Sequence, residues 1–368
     1  MTDDGTHYDV AVIGAGAAGL SVAYFLSPHA RVVVLEREEQ PAYHSSGRSA
    51  AMYIEGYENR AVQALTKAGV DFFFSPPDGF AEYPLVTPCG GLTVAGPGES
   101  DALQKYLDAW QPSCPELVAV SPKDTVGLVP ILRSEWVSGG AFDPSWHNID
   151  VHGLLSGYQR GIRERGGTIQ TNAHVTALDW NPDGWSIRSG PESITANIVV
   201  NTAGAWANQV GALAGLPEMP LVPMRRTAAI IPAPANSRDW PLVHTINENL
   251  YFKPESPGLM VCPQDETPSE AMDAFPMDID VAIAIDRFAQ IAEHDVKQVM
   301  RSWAGLRTFA PDRRPIVGFA PQAQGFFWLV GQGGFGVQTS PGLGEHAAGI
   351  ILGRAQPAVE IDVTRFIV

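Results

Sequence analysis

Residues 8–13 (YDVAVI) are apolar almost without a break. Such a run suits a strand covered on both faces, as in a parallel sheet. Gly14, Gly16 and Gly19 follow, then a helix-length apolar stretch, then a second apolar run over 32–35 that ends in Glu36. The pattern predicts strand, glycine turn, helix, strand and acid, in that order. Apolar residues recur at helical spacing over 61–74, 99–110, 279–293 and 340–352, and an amphipathic helix is predicted over 151–166, directly after Asp150. Strand patterns cover 168–176, 177–180, 185–188, 194–201, 224–232, 250–262 and 325–330. The stretch 75–98 reads as short strands broken by proline and glycine turns. Helices and strands alternate at the start, middle and end, with β-rich segments between them. This predicts an α/β protein with a discontinuous, Rossmann-like nucleotide domain over 1–78, 140–215 and 305–368. An α+β substrate domain with an antiparallel sheet, over 79–139 and 216–304, is inserted into it.

The glycine spacing carries the first chemistry. Gly14 permits a tight turn, Gly16 lets a pyrophosphate approach the backbone, and Gly19 lets helix and strand pack closely. The helix start offers free N–H groups and a positive dipole end to phosphates. Glu36 lies 22 residues after Gly14 (36 − 14), where a carboxylate is expected to hold a ribose hydroxyl. A dinucleotide is therefore expected along Gly14, Ala15, Gly16, Ala18, Gly19, Glu36 and Arg37.

The 368 residues carry a net charge of −16, which argues against nucleic acid and anionic membranes as partners. An anionic substrate would then need its own arginines. Cys89, Cys114 and Cys262 lie far apart, which suggests reduced thiols in a cytoplasmic enzyme and no metal site. The start MTDDGTHYDV lacks an apolar signal core, and no apolar run reaches membrane-spanning length.

Three further segments narrow the nucleotide to FAD. The loop 44–49 (HSSGRS) supplies hydroxyls, a charge and backbone donors, with Ser46, Arg48 and Ser49 as expected contacts. The segment IVVNTAGAWA returns small residues to the nucleotide through Ala203, Gly204 and Trp206, and Val175 is expected beside it. Near the end, Gln332-Gly333-Gly334-Phe335-Gly336 opens a helix whose N–H groups can face a flavin pyrimidine ring. Gly333, Gly334, Gly336, Val337 and Gln338 complete the expected FAD contacts.

On VIGAGAAG, VVVLEREEQPAYHSSGRSAA, FFFSPPDGFAEYPL, VNTAGAWA, MRRTA, ENLYFKP, WAGLRTF and GFFWLVGQGGFGVQTS, nearly the whole chain resembles the D-amino-acid-oxidase-like FAD amine oxidoreductases. These include glycine oxidase and sarcosine oxidase, and the D-arginine dehydrogenase branch looks most similar. The resemblance implies non-covalent FAD and hydride transfer from the α-carbon of an amino acid to flavin N5. The resulting imino acid hydrolyses to a 2-keto acid and ammonia, and oxygen or another carrier accepts the electrons. Arg307 and Arg226 match the family's carboxylate-binding arginines, while Arg225, its strand neighbour, should point the other way. Tyr57 and Tyr251 match tyrosines that cover the substrate. Glu82 matches an acid that holds a distal cation, which implies a basic side chain, and the resemblance as a whole implies a D-amino acid. Glu248 and Gly334 are further expected substrate contacts. Met52 and His244 depart from that branch, which has histidine and valine there. His44 sits where some relatives attach flavin covalently, yet the D-arginine branch has the same histidine without the bond.

Rival readings are oxidation of a secondary amine or N-substituted glycine, a 2-hydroxy-acid dehydrogenase with His244 as base, and a non-catalytic flavin-binding subunit.

Overall fold

The structure, a computed structural model, describes residues 7–367. Residues 1–6 and 368, the outer ends of the expected nucleotide domain, lie outside the described residues. The strand His7–Ile13 sits at the centre of the first sheet, paired in parallel with Val32–Leu35 and Glu192–Asn201. Its alternation explains its unbroken apolar run. Val10 and Val12 enter one core with the helices Ala17–Leu26, Val151–Glu164 and Gly336–Ile351. Ala11 and Ile13 enter a second core with Trp185, Ile187, Val210 and Trp328 on the other face. Thr168–Gln170 extends the sheet beyond Val32–Leu35. Glu192–Asn201 is shared along its length: its early residues pair with Gly184–Ser189, which in turn pairs with Val175–Asn181, and its last three pair with Phe326–Val330. This is a Rossmann-type α/β sheet with an antiparallel flank.

The second sheet has nine strands and is antiparallel apart from one parallel pair, Leu242–Thr245 beside Gly91–Ala95. Its long strand Val222–Pro232 pairs on one side with Arg301–Phe309. On the other side it pairs with Gly258–Cys262 and Thr267–Pro268. One face packs Ile231, Val243, Phe252 and Val261 against the helix Asp278–Ile291. A small third sheet joins Met52–Tyr53, His147–Ile149 and Val86–Pro88. No helix among the described residues is long and apolar enough to cross a membrane.

Several expected elements change. The helix over 61–74 is two helices, Arg60–Ala68 and Val70–Phe74, because the chain turns at Gly69 (φ −93°, ψ 2°). The strand over 250–262 is a hairpin, Tyr251–Glu255 and Gly258–Cys262, folded at Ser256-Pro257. The last helix starts at Gly336 and not at 340, with Pro341 inside it. Proline is favoured in a first turn, which displaced the expected start. Strands Gly139–Asp143 and Arg301–Phe309 pair into the second sheet. The domain boundaries expected at 140 and 305 therefore fall within strands of that sheet.

Candidate active site

Gly14 adopts φ +105°, and a Cβ there would lie 2.9 Å from the Thr202 carbonyl oxygen. A Cβ on Gly19 would lie 1.9 Å from the Gly14 carbonyl oxygen. The turn thus needs both glycines before any ligand arrives. Ser46 Oγ accepts the Ala17 N–H at 2.9 Å. Glu36 accepts the Ala15 N–H at 2.8 Å through Oε2 and the Glu38 N–H at 3.0 Å through Oε1. The glycine turn, the Glu36–Arg37 corner, Ser46 and residues 202–206 enclose a cavity of about 440 Å³ with Gln332, Gly333 and Gly336. Of the expected cofactor contacts, Gly14, Gly16, Ala18, Glu36, Arg37, Ser46, Val175, Ala203, Gly204, Trp206, Gly333 and Gly336 line it. Arg37 and His44 both pack on the Trp206 ring, at 4.4 and 4.5 Å.

The cavity fits a flavin dinucleotide. Thr308 Oγ1 and Gln332 Nε2 are buried without hydrogen-bond partners among the described residues, and both residues line the cavity. A ligand bearing hydrogen-bonding groups would satisfy them. Sequence reasoning missed Thr308, and it read Gln332 only as part of a glycine turn. Other expected contacts do different work. Ala15 and Gly19 shape the turn. Arg48 donates to the carbonyls of Ala274 (2.8 Å) and Ala304 (3.0 Å) and pairs with Asp273, so it ties the 44–49 loop to the second sheet. The Ser49 N–H donates to the Ser46 carbonyl at 3.4 Å. Gln338 is turned to Thr66 (3.0 Å) and Ile54, and Val337 belongs to the first core.

The second sheet brings two arginines together on one face. Register pairs Arg307 with Met224 and Arg226 with Gly305, so the two arginines are diagonal neighbours on one face. Arg225 points through the sheet to Asp280, 3.0 Å away on the core-side helix. Arg307 is partly buried beside Gly334, where a Cβ would lie 2.7 Å from its Nη1. Its side chain makes no hydrogen bond or ion pair among the described residues. Arg226 is more committed: Nε donates to the Asp265 carbonyl at 2.6 Å and Nη2 to Glu266 Oε1 at 3.0 Å.

Cross-strand pairs continue this face as one row, Cys262, Tyr251, His244, Thr93 and Ala141. Burial pushes the Tyr251 phenol well up, only partly offset by Arg307 and Arg226, so it stays a donor. Burial opposes the charge on Arg226, yet coupling to Cys262, Tyr251, Tyr57 and Glu266 raises its pKa above the ordinary value. Tyr57 is exposed on the loop before Arg60–Ala68. Tyr106, His244, Tyr251, Arg226 and Arg307 all keep some accessible surface. Met52 pairs with Asn148 on the small sheet, and Asn148 accepts from Lys253 at 2.8 Å, next along the Tyr251 strand. Glu248 is exposed in a turn at φ +54°. Glu82 is exposed before Val86–Pro88 and makes no hydrogen bond or ion pair among the described residues.

His244 is held between a hydroxyl and an aromatic ring. Nε2 is 2.7 Å from Thr93 Oγ1, and the ring stacks on Trp146 at 5.6 Å. Burial pushes its pKa down to about 4 from 6.5, against a hydrogen bond with the Thr245 backbone. Because the folded value is depressed, this histidine favours folding fully above pH 6.5 and progressively less down to about 4. The loss has a ceiling of roughly 3 kcal/mol, at about 1.4 kcal/mol per pH unit. His244→Gln should therefore flatten the fall in Tm over that window; parallel Tm–pH curves for the two proteins would refute it.

A nucleotide cradle beside an arginine-bearing sheet face defines a flavin-dependent oxidoreductase. Residues 9–350 match the DAO family, FAD dependent oxidoreductase, and the chain belongs to it. FAD is the cofactor of that family. The solved structure of glycine oxidase from Geobacillus kaustophilus is similar at TM-score 0.86 and 21% identity, covering 99% of this chain and 100% of that one. Mitochondrial dimethylglycine dehydrogenase of Rattus norvegicus is 25% identical over 403 residues, 97% of this chain and 45% of that protein. Mitochondrial sarcosine dehydrogenase of Homo sapiens is 26% identical over 385 residues, 97% and 41% respectively. This chain thus spans less than half the length of these two mitochondrial relatives.

Proposed function

We propose that the chain oxidises an amine next to a carboxylate, in an α-amino acid or an N-substituted glycine. The observation that carries this reading is Arg307: a partly buried cation without a partner, against Gly334 at the flavin-side helix and on the face of Arg226 and Tyr251. A carboxylate there gains a planar fork of donors from Arg307, further N–H groups from Arg226, and the Tyr251 hydroxyl. Together these orient the α-carbon, and Tyr57 covers the cleft. FAD supplies the hydride acceptor. The imino product leaves for hydrolysis to a keto acid and ammonia, or to an aldehyde and a smaller amine from the N-substituent.

Resemblance supports a D-amino acid, with Glu82 as the contact for a basic side chain. N-substituted glycines are supported by the names of the relatives, which act on dimethylglycine and sarcosine. FAD is held non-covalently in this reading, since His44 Nε2 lies 2.9 Å from Glu38 and Nδ1 3.8 Å from Asp273.

The test is anaerobic mixing of the purified yellow protein with D- and L-amino acids, N-methyl glycines and hydroxy acids. Bleaching of the visible flavin band by amino acids or N-methyl glycines is expected, and which set bleaches it fixes the substrate class. Bleaching by hydroxy acids alone, or by nothing, overturns the proposal. The same preparation precipitated with acid should release its colour; a yellow pellet refutes non-covalent binding.

A further inference from the structure

Arg226 and Tyr57 come from segments far apart in sequence, yet one chain of ion pairs joins them. Arg313 holds two carboxylates at once. Its Nε and Nη2 donate to Glu58 at 3.1 and 3.4 Å, and its Nη1 and Nη2 donate to Glu266 at 3.0 and 3.2 Å. Its guanidinium also lies 4.1 Å over the Phe309 ring. Glu266 Oε1 is in turn shared with Arg226 Nη2 at 3.0 Å. Glu58 adjoins Tyr57 and sits at φ +66°, and Asn59 Nδ2 donates to the Arg313 carbonyl at 3.0 Å. The 265–266 segment is fixed as well, since the Asp265 carboxylate accepts from Thr227 N and Oγ1 at 2.8 and 3.0 Å.

The order of charges matters. Along the chain they run minus, plus, minus, plus, from Glu58 to Arg226. Burial would raise the Glu266 carboxyl, but its bonds and charge coupling to Arg313, with help from Arg226 and Arg307, hold it below the usual range. Glu266 is therefore an anion beside the proposed carboxylate site. Arg313 takes up much of its charge and leaves part of the Arg226 fork available to a second anion. Without Arg313, Glu266 would have Arg226 as its remaining close partner and would compete with substrate for it. Only a planar, two-edged cation can serve both carboxylates together.

We propose that Arg313 is a positioning residue: through Glu58 it sets the Tyr57 loop, and through Glu266 it keeps Arg226 available to the substrate carboxylate. This rests on the proposed carboxylate site, which Arg307→Ala tests independently. Arg313, Glu58 and Glu266 are each partly solvent-exposed (side-chain exposures 38%, 16% and 30%), so the pairs add little to overall stability.

Steady-state kinetics with the substrate found in the panel tests it. Arg313→Gln should raise KM roughly tenfold or more, the range for losing one charged hydrogen-bond partner, with FAD content and Tm near wild type. Adding Glu266→Gln to Arg313→Gln removes the competing anion and should return KM most of the way to wild type. A purely structural role predicts no such rescue. An unchanged KM in Arg313→Gln, or a double variant no better than the single, overturns the proposal. If Arg313→Gln does not fold, Glu58→Gln reads the chain from its other end: a raised KM supports the proposal and an unchanged one overturns it. A raised KM in Arg307→Ala beside an unaffected Arg313→Gln would sink this inference alone. An unaffected Arg307→Ala would sink the carboxylate site itself.

Discussion

Arg307→Ala should raise KM for the substrate by roughly two to three orders of magnitude, the cost of about 3–4 kcal/mol expected when one partner of a buried charged pair is removed. Arg226 already gives donors to Asp265 and Glu266, so it offers the substrate only part of its fork. The Arg307 side chain has no competing acceptor among the described residues and sits against Gly334. Its loss leaves the substrate carboxylate with one shared arginine and a tyrosine. FAD content should stay normal, because Arg307 does not line the nucleotide cavity. An unchanged KM would remove Arg307 from the site, and lost FAD would show that the residue serves the cofactor.

The second large effect separates two glycines of one motif. In Gly19→Ala the new methyl would lie 1.9 Å from the Gly14 carbonyl oxygen and 2.6 Å from Thr202 Oγ1. Both the turn and the neighbouring strand end would have to shift. That exceeds ordinary overpacking, which costs roughly 1–3 kcal/mol, so both FAD binding and the Tm of the apoprotein should fall. In Gly16→Ala the methyl would meet only Ser46 Oγ, at 3.2 Å. The apoprotein should keep its Tm while FAD affinity drops, since Gly16 faces the cavity. Thermal melts of both apoproteins with FAD titrations decide the matter. Equal Tm losses would contradict the division of labour.

This division was legible in the chain from the start, because a glycine turn between two apolar strands has few physical solutions. The diagonal placement of Arg226 and Arg307 was not. It depends on the register of Val222–Pro232 with Arg301–Phe309, and no strand had been expected over 301–309. That strand alternates Trp303, Gly305 and Arg307 toward the cleft with Ala304 and Leu306 away from it, too mixed a composition to announce itself. His244 gave no sign of its neutrality either, since Trp146 and Thr93 reach it from distant segments. Arg313 and Glu266 look, in sequence, like two more surface charges. Only the fold brings them together with Glu58, and pairing between distant segments leaves no periodic signal.

The strand Val222–Pro232 sends Arg226 to the cleft and Arg225 to Asp280 on the opposite face. Deleting one residue ahead of this pair would exchange them across the sheet. Arg226 would then stand opposite Asp280, Thr227 would take its place toward Arg307, and Ile231 would leave the core for the other face. Substrate range can therefore drift through the loops at 54–59 and 263–267, where chain length is free to vary. The strands behind them keep a fixed count, so divergence in this protein should appear as insertions around the cleft and never within its floor.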